Sequence, residues 1–173
     1  SPAIQAVGFT GSFRGGKALF DAASRRAQPI PVFAEMGSAN PVFVLPDALA
    51  ARGAEIAGAL AASVTLGCGQ FCTSPGLIFL PAGARSDAFL EELGGLLGAA
   101  PAGTMAHAGI KSAYDADLEE VASLPGVTVA ARSTARGPHP ATEAQAALLV
   151  VDQSAWTGHS RLGEELYGPA TVA

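Results

Sequence analysis

Residues 6–36, AVGFTGSFRGGKALFDAASRRAQPIPVFAEM, decide the fold. Ala6–Thr10 is a short apolar run that stops at Gly11-Ser12, and Gly15–Arg26 follows as a helix with Leu19, Ala22 and Ala23 on one face. Pro31–Ala34 is a second apolar run. Strand, glycine turn, helix and strand in that order is the α/β signature. The pattern continues outward. Pro41–Leu45 is another apolar run, and Asp47 is placed to cap an Ala-rich helix running towards Leu66. Leu77–Leu80 reads as a strand ended by Pro81, and Ser86 is placed to cap a helix carrying Phe89, Leu93, Leu96 and Leu97 at three- and four-residue steps. Ser112–Ser123 reads as a third helix stopped by Pro125-Gly126, with Val127–Ala131 and Ala146–Val151 as later strands and Pro169–Ala173 as the start of another. The expected class is α/β, a mostly parallel sheet with helix cover.

Composition narrows the class further. The 173 residues include 21 Gly and 12 Pro, 49% are hydrophobic and only 14% are charged, which excludes the disordered signature. Mean hydropathy is positive (+0.33). The most apolar runs span four to six residues against the ~20 of a spanning helix, and Arg52 and Glu55 interrupt the Ala-rich segment. The segment is therefore read as a buried helix, and no membrane association is expected. Ser1-Pro2-Ala3 has no leader-like pattern. The net charge is −5 with scattered basic residues, which argues against a nucleic-acid partner. A cytoplasmic protein is the expectation.

Three features could carry chemistry. Cys72 lies in Gly67-Cys68-Gly69-Gln70-Phe71-Cys72-Thr73-Ser74-Pro75-Gly76, a glycine-rich loop between helix and strand. Backbone N–H groups there could stabilise a thiolate and bind an oxyanion. The competing reading is a small buried hydrophobe. Glu35 is a lone carboxylate ending an apolar run, where ligands bind in open α/β sheets. Partly desolvated, it suits general-base work; otherwise it is a solvated strand-end charge. Gly8-Phe9-Thr10-Gly11-Ser12-Phe13-Arg14-Gly15-Gly16 joins a strand to a helix start, either an anion-binding turn or a plain connection. Cys68 and Cys72 match neither a redox nor a zinc spacing, a disulfide across so short a loop is not expected, and His107, His139 and His159 are dispersed. No metal site is expected.

Together these motifs resemble the aldehyde dehydrogenase superfamily. Phe9-Thr10-Gly11-Ser12 is similar to its cofactor loop, Glu35-Met36-Gly37 before Asn40-Pro41 to its general-base motif, and Gly69-Gln70-x-Cys72 to its nucleophile motif. Glu164-Glu165-Leu166-Tyr167-Gly168-Pro169 is similar to its Glu-Glu-x-Phe-Gly-Pro segment. The Ala34–Ser38 and Gly69–Thr73 wording most resembles the ketoglutaric semialdehyde (2,5-dioxovalerate) dehydrogenases. The sequence departs from the family at Ser38 and Ala39 (family Gly and Lys), at Phe13-Arg14 (family Thr-Glu) and at Tyr167 (family Phe). These departures leave NAD and NADP both open.

The resemblance implies oxidation of an aldehyde to an acid, with Cys72 as nucleophile and Glu35 as the base that activates water on the thioester. Thr10, Gly11, Ser12, Gly16, Met36, Glu165 and Tyr167 would contact the cofactor, with Glu165 on the nicotinamide ribose. Cys68, one turn away, would pack inside the helix. It also implies two parts: residues 1–37 ending a Rossmann-like cofactor domain, and residues 38–173 in an aldehyde dehydrogenase-like catalytic domain incomplete at its C-terminal end. The family's earlier cofactor segments and oligomerisation strand have no counterpart, so the sequence reads as cut from a longer, homo-oligomeric enzyme. The 173-residue piece alone is expected to be inactive and to bind NAD(P) poorly. Two rival readings are a non-catalytic fragment and a cofactor-independent thiol esterase.

Overall fold

The computed structural model describes all residues from Ser1 to Ala173 and divides into two compact units, Ser1–Ser38 and Ala39–Ala173.

The first unit is β1 (Val7–Gly11), α1 (Phe13–Ser24) and β2 (Val32–Met36), with the strands parallel and Thr10 in register with Glu35. Ser12 caps α1, its Oγ accepting from the Gly15 N–H at 3.2 Å, so the helix starts two residues before the expected Gly15. Of the expected apolar face only Ala23 is buried; Leu19 and Ala22 are exposed. The closest seam is at Gly16, where a Cβ would lie 2.1 Å from Met36 Sδ. With glycine there, the Met36 thioether lies directly against α1.

In the second unit the elements run β3 (Pro41–Phe43), α2 (Pro46–Thr65), β4 (Leu77–Phe79), α3 (Ala84–Gly98), β5 (Gly103–Thr104), α4 (Ala108–Ala122) and β6 (Val127–Arg132). They continue with β7 (Glu143–Ala144), β8 (Ala147–Val151), α5 (Gln153–Gly158) and β9 (Ala170–Val172). Five strands form one sheet in the order β3-β4-β9-β8-β6, parallel except for β6, while β5 and β7 form a small antiparallel ribbon.

The two-residue strand period sorts the core. Ile78 and Leu148 face Leu60, Val64, Phe89, Leu93 and Leu97 of α2 and α3. Their neighbours Leu77 and Leu149 belong with Tyr114, Leu118 and Val121 of α4 on the other side. A sheet covered on both faces needs continuous apolar strands, as in Ala147–Val151.

Helix starts differ from the expectations for identifiable reasons. Pro46 occupies the first turn of α2, where its fixed φ and missing N–H are suited, so Leu45 becomes the N-cap and Asp47 lies in the first turn. Gly83, at φ +126°, is the N-cap of α3; Ser86 sits inside the helix and its hydroxyl donates to the Pro81 carbonyl. α4 begins four residues before Ser112, because His107 Nδ1 accepts from the N–H groups of Gly109 (3.1 Å) and Ile110 (3.3 Å). By length and composition Pro46–Gly69 could cross a membrane. One face of its helix, from Leu49 to Val64, is packed in the core.

Candidate active site

α2 ends in a left-handed turn. Gly67, Cys68 and Gly69 have φ of +56°, +60° and +66°, a run that glycine adopts freely and cysteine does not. Cys68 therefore lies in the turn and not within the helix as expected. It is buried, with Gly103 so near that a Cβ there would meet its Sγ at 2.8 Å. Burial pushes its thiol pKa up, which disfavours the reactive thiolate.

The turn throws residues 70–76 outward as a short loop, and Cys72 is exposed on it, against the buried-hydrophobe reading. The rest of the loop is fastened. Gln70 Oε1 accepts from the Ala106 N–H (2.8 Å) and its Nε2 donates to the Gly67 carbonyl (2.9 Å). The Gln70 carbonyl accepts from the Tyr167 hydroxyl at 3.0 Å. Asn40 Nδ2 donates to the Cys72 carbonyl and, at 3.3 Å, to the Ser74 carbonyl. Gly76 N–H reaches the Ala39 carbonyl at 2.9 Å. Gly69 lies against the backbone of Gly168, where any Cβ would come within 2.1 Å of the carbonyl oxygen. The N–H groups of Cys72 and Thr73 have no partner within the chain.

The Glu164–Pro169 segment joins this loop from the far end of the sequence. Arg161 anchors it, pairing with Asp117 (3.1 Å) and Glu120 (3.0 Å) of α4 and with Glu164 (3.6 Å). The Tyr167 phenol is pushed above its usual pKa by burial, and then by the charges of Glu165 and Cys72. Cys72, Glu165 and Tyr167 are thus gathered in the second unit.

The other predicted residues lie in the first unit. Thr10 and Glu35 face each other across the β1–β2 pairing, and an open cleft of about 540 Å³ is lined by Gly8, Phe9, Thr10, Phe33, Ala34 and Glu35. Glu35 is exposed, so the expected partial desolvation is not met: a two-stranded sheet has too little cover to remove a strand-end carboxylate from water. Gly16 and Met36 pack on each other. At the start of α1, Ser12 satisfies the N–H groups of Gly15 and Gly16. Those of Phe13 and Arg14 have no partner within the chain, leaving two donors at the positive end of a 12-residue helix. This suits a phosphate-bearing cofactor.

Sequence reasoning assigned no role to the amide side chains of Asn40 and Gln70 or to His107. Asn40, at φ +41°, carried a signal in its type: asparagine before Pro41 is among the few non-glycine residues that tolerate left-handed backbone.

The profile described as "Aldehyde dehydrogenase family" matches residues 1–110. The chain is 46% identical over 173 residues to alpha-ketoglutaric semialdehyde dehydrogenase 2 of Azospirillum brasilense, covering 99% of this chain and 32% of the relative. It is 41% identical over 172 residues to the alpha-ketoglutaric semialdehyde dehydrogenase of Acinetobacter baylyi, with the same coverages. It thus spans about a third of the length of the curated relatives it matches. Among solved structures, an NAD-dependent benzaldehyde dehydrogenase from Corynebacterium glutamicum superposes with a TM-score of 0.75 at 24% identity, covering 97% of this chain and 36% of that one.

Proposed function

Since the chain belongs to the aldehyde dehydrogenase family, we propose that it forms part of an NAD(P)-dependent enzyme that oxidises an aldehyde to a carboxylic acid, with Cys72 as nucleophile and Glu35 as base. The relatives at 41–46% identity favour a semialdehyde as substrate. The observation that carries the reading is Cys72 itself, an exposed thiol on a loop otherwise fixed by hydrogen bonds, with partnerless N–H groups beside it.

In this reading the Cys72 thiolate attacks the aldehyde carbon, and the N–H groups at Cys72 and Thr73 receive the oxyanion of the thiohemiacetal. A bound oxidised nicotinamide would supply the hydride acceptor that this adduct needs to become a thioester on Cys72. Glu35 takes a proton from water as the water attacks the thioester, releasing the acid and the thiolate. The free N–H groups of Phe13 and Arg14, with Thr10, Gly11 and Ser12 beside them, would hold the cofactor phosphates. Gly16 and Met36 pack on each other at the start of α1, while Glu165 and Tyr167 would hold the nicotinamide end.

The test is thiol labelling of the native chain with iodoacetamide, read by peptide mass spectrometry. Cys72 is expected to react first, being exposed, with Cys68 labelled only on unfolding. Preferential labelling of Cys68 would remove Cys72 from the nucleophile role.

A further inference from the structure

The Cys72 carbonyl has a partner within the chain. It is held by the side chain of Asn40, whose amide also donates to the Ser74 carbonyl at 3.3 Å. One side chain thus grips the two carbonyls that flank Thr73. The grip is reinforced by the adjoining backbone, where Gly76 N–H donates to the Ala39 carbonyl at 2.9 Å. Asn40 is committed to this geometry by its own conformation, φ +41° immediately before β3. A trans peptide is planar, with its carbonyl and the following N–H on opposite sides. Fixing the Cys72 carbonyl towards Asn40 therefore fixes the Thr73 N–H in the reverse direction, as a donor that nothing else in the chain engages.

We propose that Asn40 is a positioning residue for the nucleophile: it orients the Cys72–Thr73 peptide so that the thiol and the free N–H groups meet one carbonyl together. The inference rests on the reading of Cys72 as nucleophile and adds to it a residue that touches no reacting atom. Its consequence is selective. Reactions of Cys72 that build an oxyanion depend on the peptide orientation, because misplacement on the ångström scale costs up to ~100-fold. Simple alkylation, which displaces iodide at a saturated carbon, builds no oxyanion and needs only the thiolate.

The experiment compares the 173-residue chain with its Asn40→Gly variant, which keeps the positive φ without strain and removes both donors. Acylation of Cys72 by p-nitrophenyl acetate is followed through nitrophenolate release and the mass of the Cys72 peptide. Alkylation by iodoacetamide is followed at the same pH. Asn40→Gly is expected to slow acylation by about tenfold or more while leaving alkylation within about twofold. Equal losses in both reactions, or an unchanged acylation rate, would overturn the inference. Absence of Cys72 acylation in the unmodified chain while Cys72 still alkylates would instead sink the nucleophile reading on which it rests. If Asn40→Gly does not fold by circular dichroism, Asn40→Ser, which keeps one donor, takes its place with an intermediate acylation rate expected. Failure of both to fold would assign Asn40 to stability alone and overturn the proposal.

Discussion

Glu35 and Tyr114 show how differently two ionisable side chains can be placed in one chain. Glu35 is exposed at a strand end. In a complete enzyme carrying this sequence, Glu35→Gln is expected to slow thioester hydrolysis by about 10²–10⁴-fold and acylation far less, since the base acts only when water attacks. The check is a burst of NAD(P)H followed by a slow steady state, with acyl-enzyme accumulating on Cys72. An unchanged steady-state rate would make Glu35 an ordinary surface carboxylate. Tyr114 is 2% exposed, its hydroxyl donates to the Gln145 carbonyl at 2.8 Å, and burial raises its pKa far above the usual value. The native state therefore holds this proton where the unfolded chain has lost it, and stability must fall as pH rises above about 10. Tyr114→Phe is expected to cost about 1–2 kcal/mol at neutral pH, through the lost bond and the stranded carbonyl. It should also flatten the alkaline decline, and urea unfolding at pH 7 and pH 11 measures both effects. Neither placement was legible from residue type, because burial is a property of neighbours that the local sequence does not name.

At the scale of elements, glycine marks where two pieces of chain touch, and the softness of the other partner sets the cost of a side chain there. Gly69 meets the backbone of Gly168, with a Cβ 2.1 Å from its carbonyl oxygen, and has φ +66°. Neither surface can yield. Gly16 meets the side chain of Met36, also at 2.1 Å, but a thioether chain with three rotatable bonds can swing aside. Gly69→Ala is therefore expected to destabilise the second unit by about 3 kcal/mol or more, through overpacking and left-handed strain. Gly16→Ala should cost less, since alanine in a helix recovers about 1 kcal/mol of propensity. Chemical denaturation of both variants ranks them, and equal destabilisation would contradict the argument. Strand identities were readable because apolar runs such as Ala146–Val151 and Leu77–Leu80 are short and bounded. The N-caps Leu45, Gly83 and His107 were missed because caps compete: proline in a first turn displaced the Asp47 cap, and an imidazole acted as an acceptor. The β5–β7 ribbon left no pattern, since two residues per strand carry no period.

Across the whole molecule the two units differ in how much of each is shielded from water. In Ala39–Ala173 five strands are sandwiched between helices, and Leu93, Leu97, Leu148 and Leu149 are fully buried. In Ser1–Ser38 two strands and one helix leave Phe13, Phe20 and Phe33 between 51% and 70% exposed, and α1 buries only Gly16 and Ala23. The order β1-α1-β2 was legible in residues 6–36 because its periods and turns are local. The cover on that unit was not, because apolar side chains at helical spacing look the same whether or not anything lies over them. Two-stranded sheets are marginal alone, and local opening follows where few apolar contacts close over the backbone. Amide hydrogen exchange of the 173-residue chain should therefore be uneven. The β1 and β2 amides are expected to exchange by local opening, at least about 100-fold faster than those of β8 and β9, a gap of about 2.7 kcal/mol in opening free energy. Protection of Val7–Gly11 equal to that of Ala147–Val151 would mean that the first unit opens only when the whole chain unfolds. In that case the shortage of buried apolar surface in Ser1–Ser38 would not govern its stability.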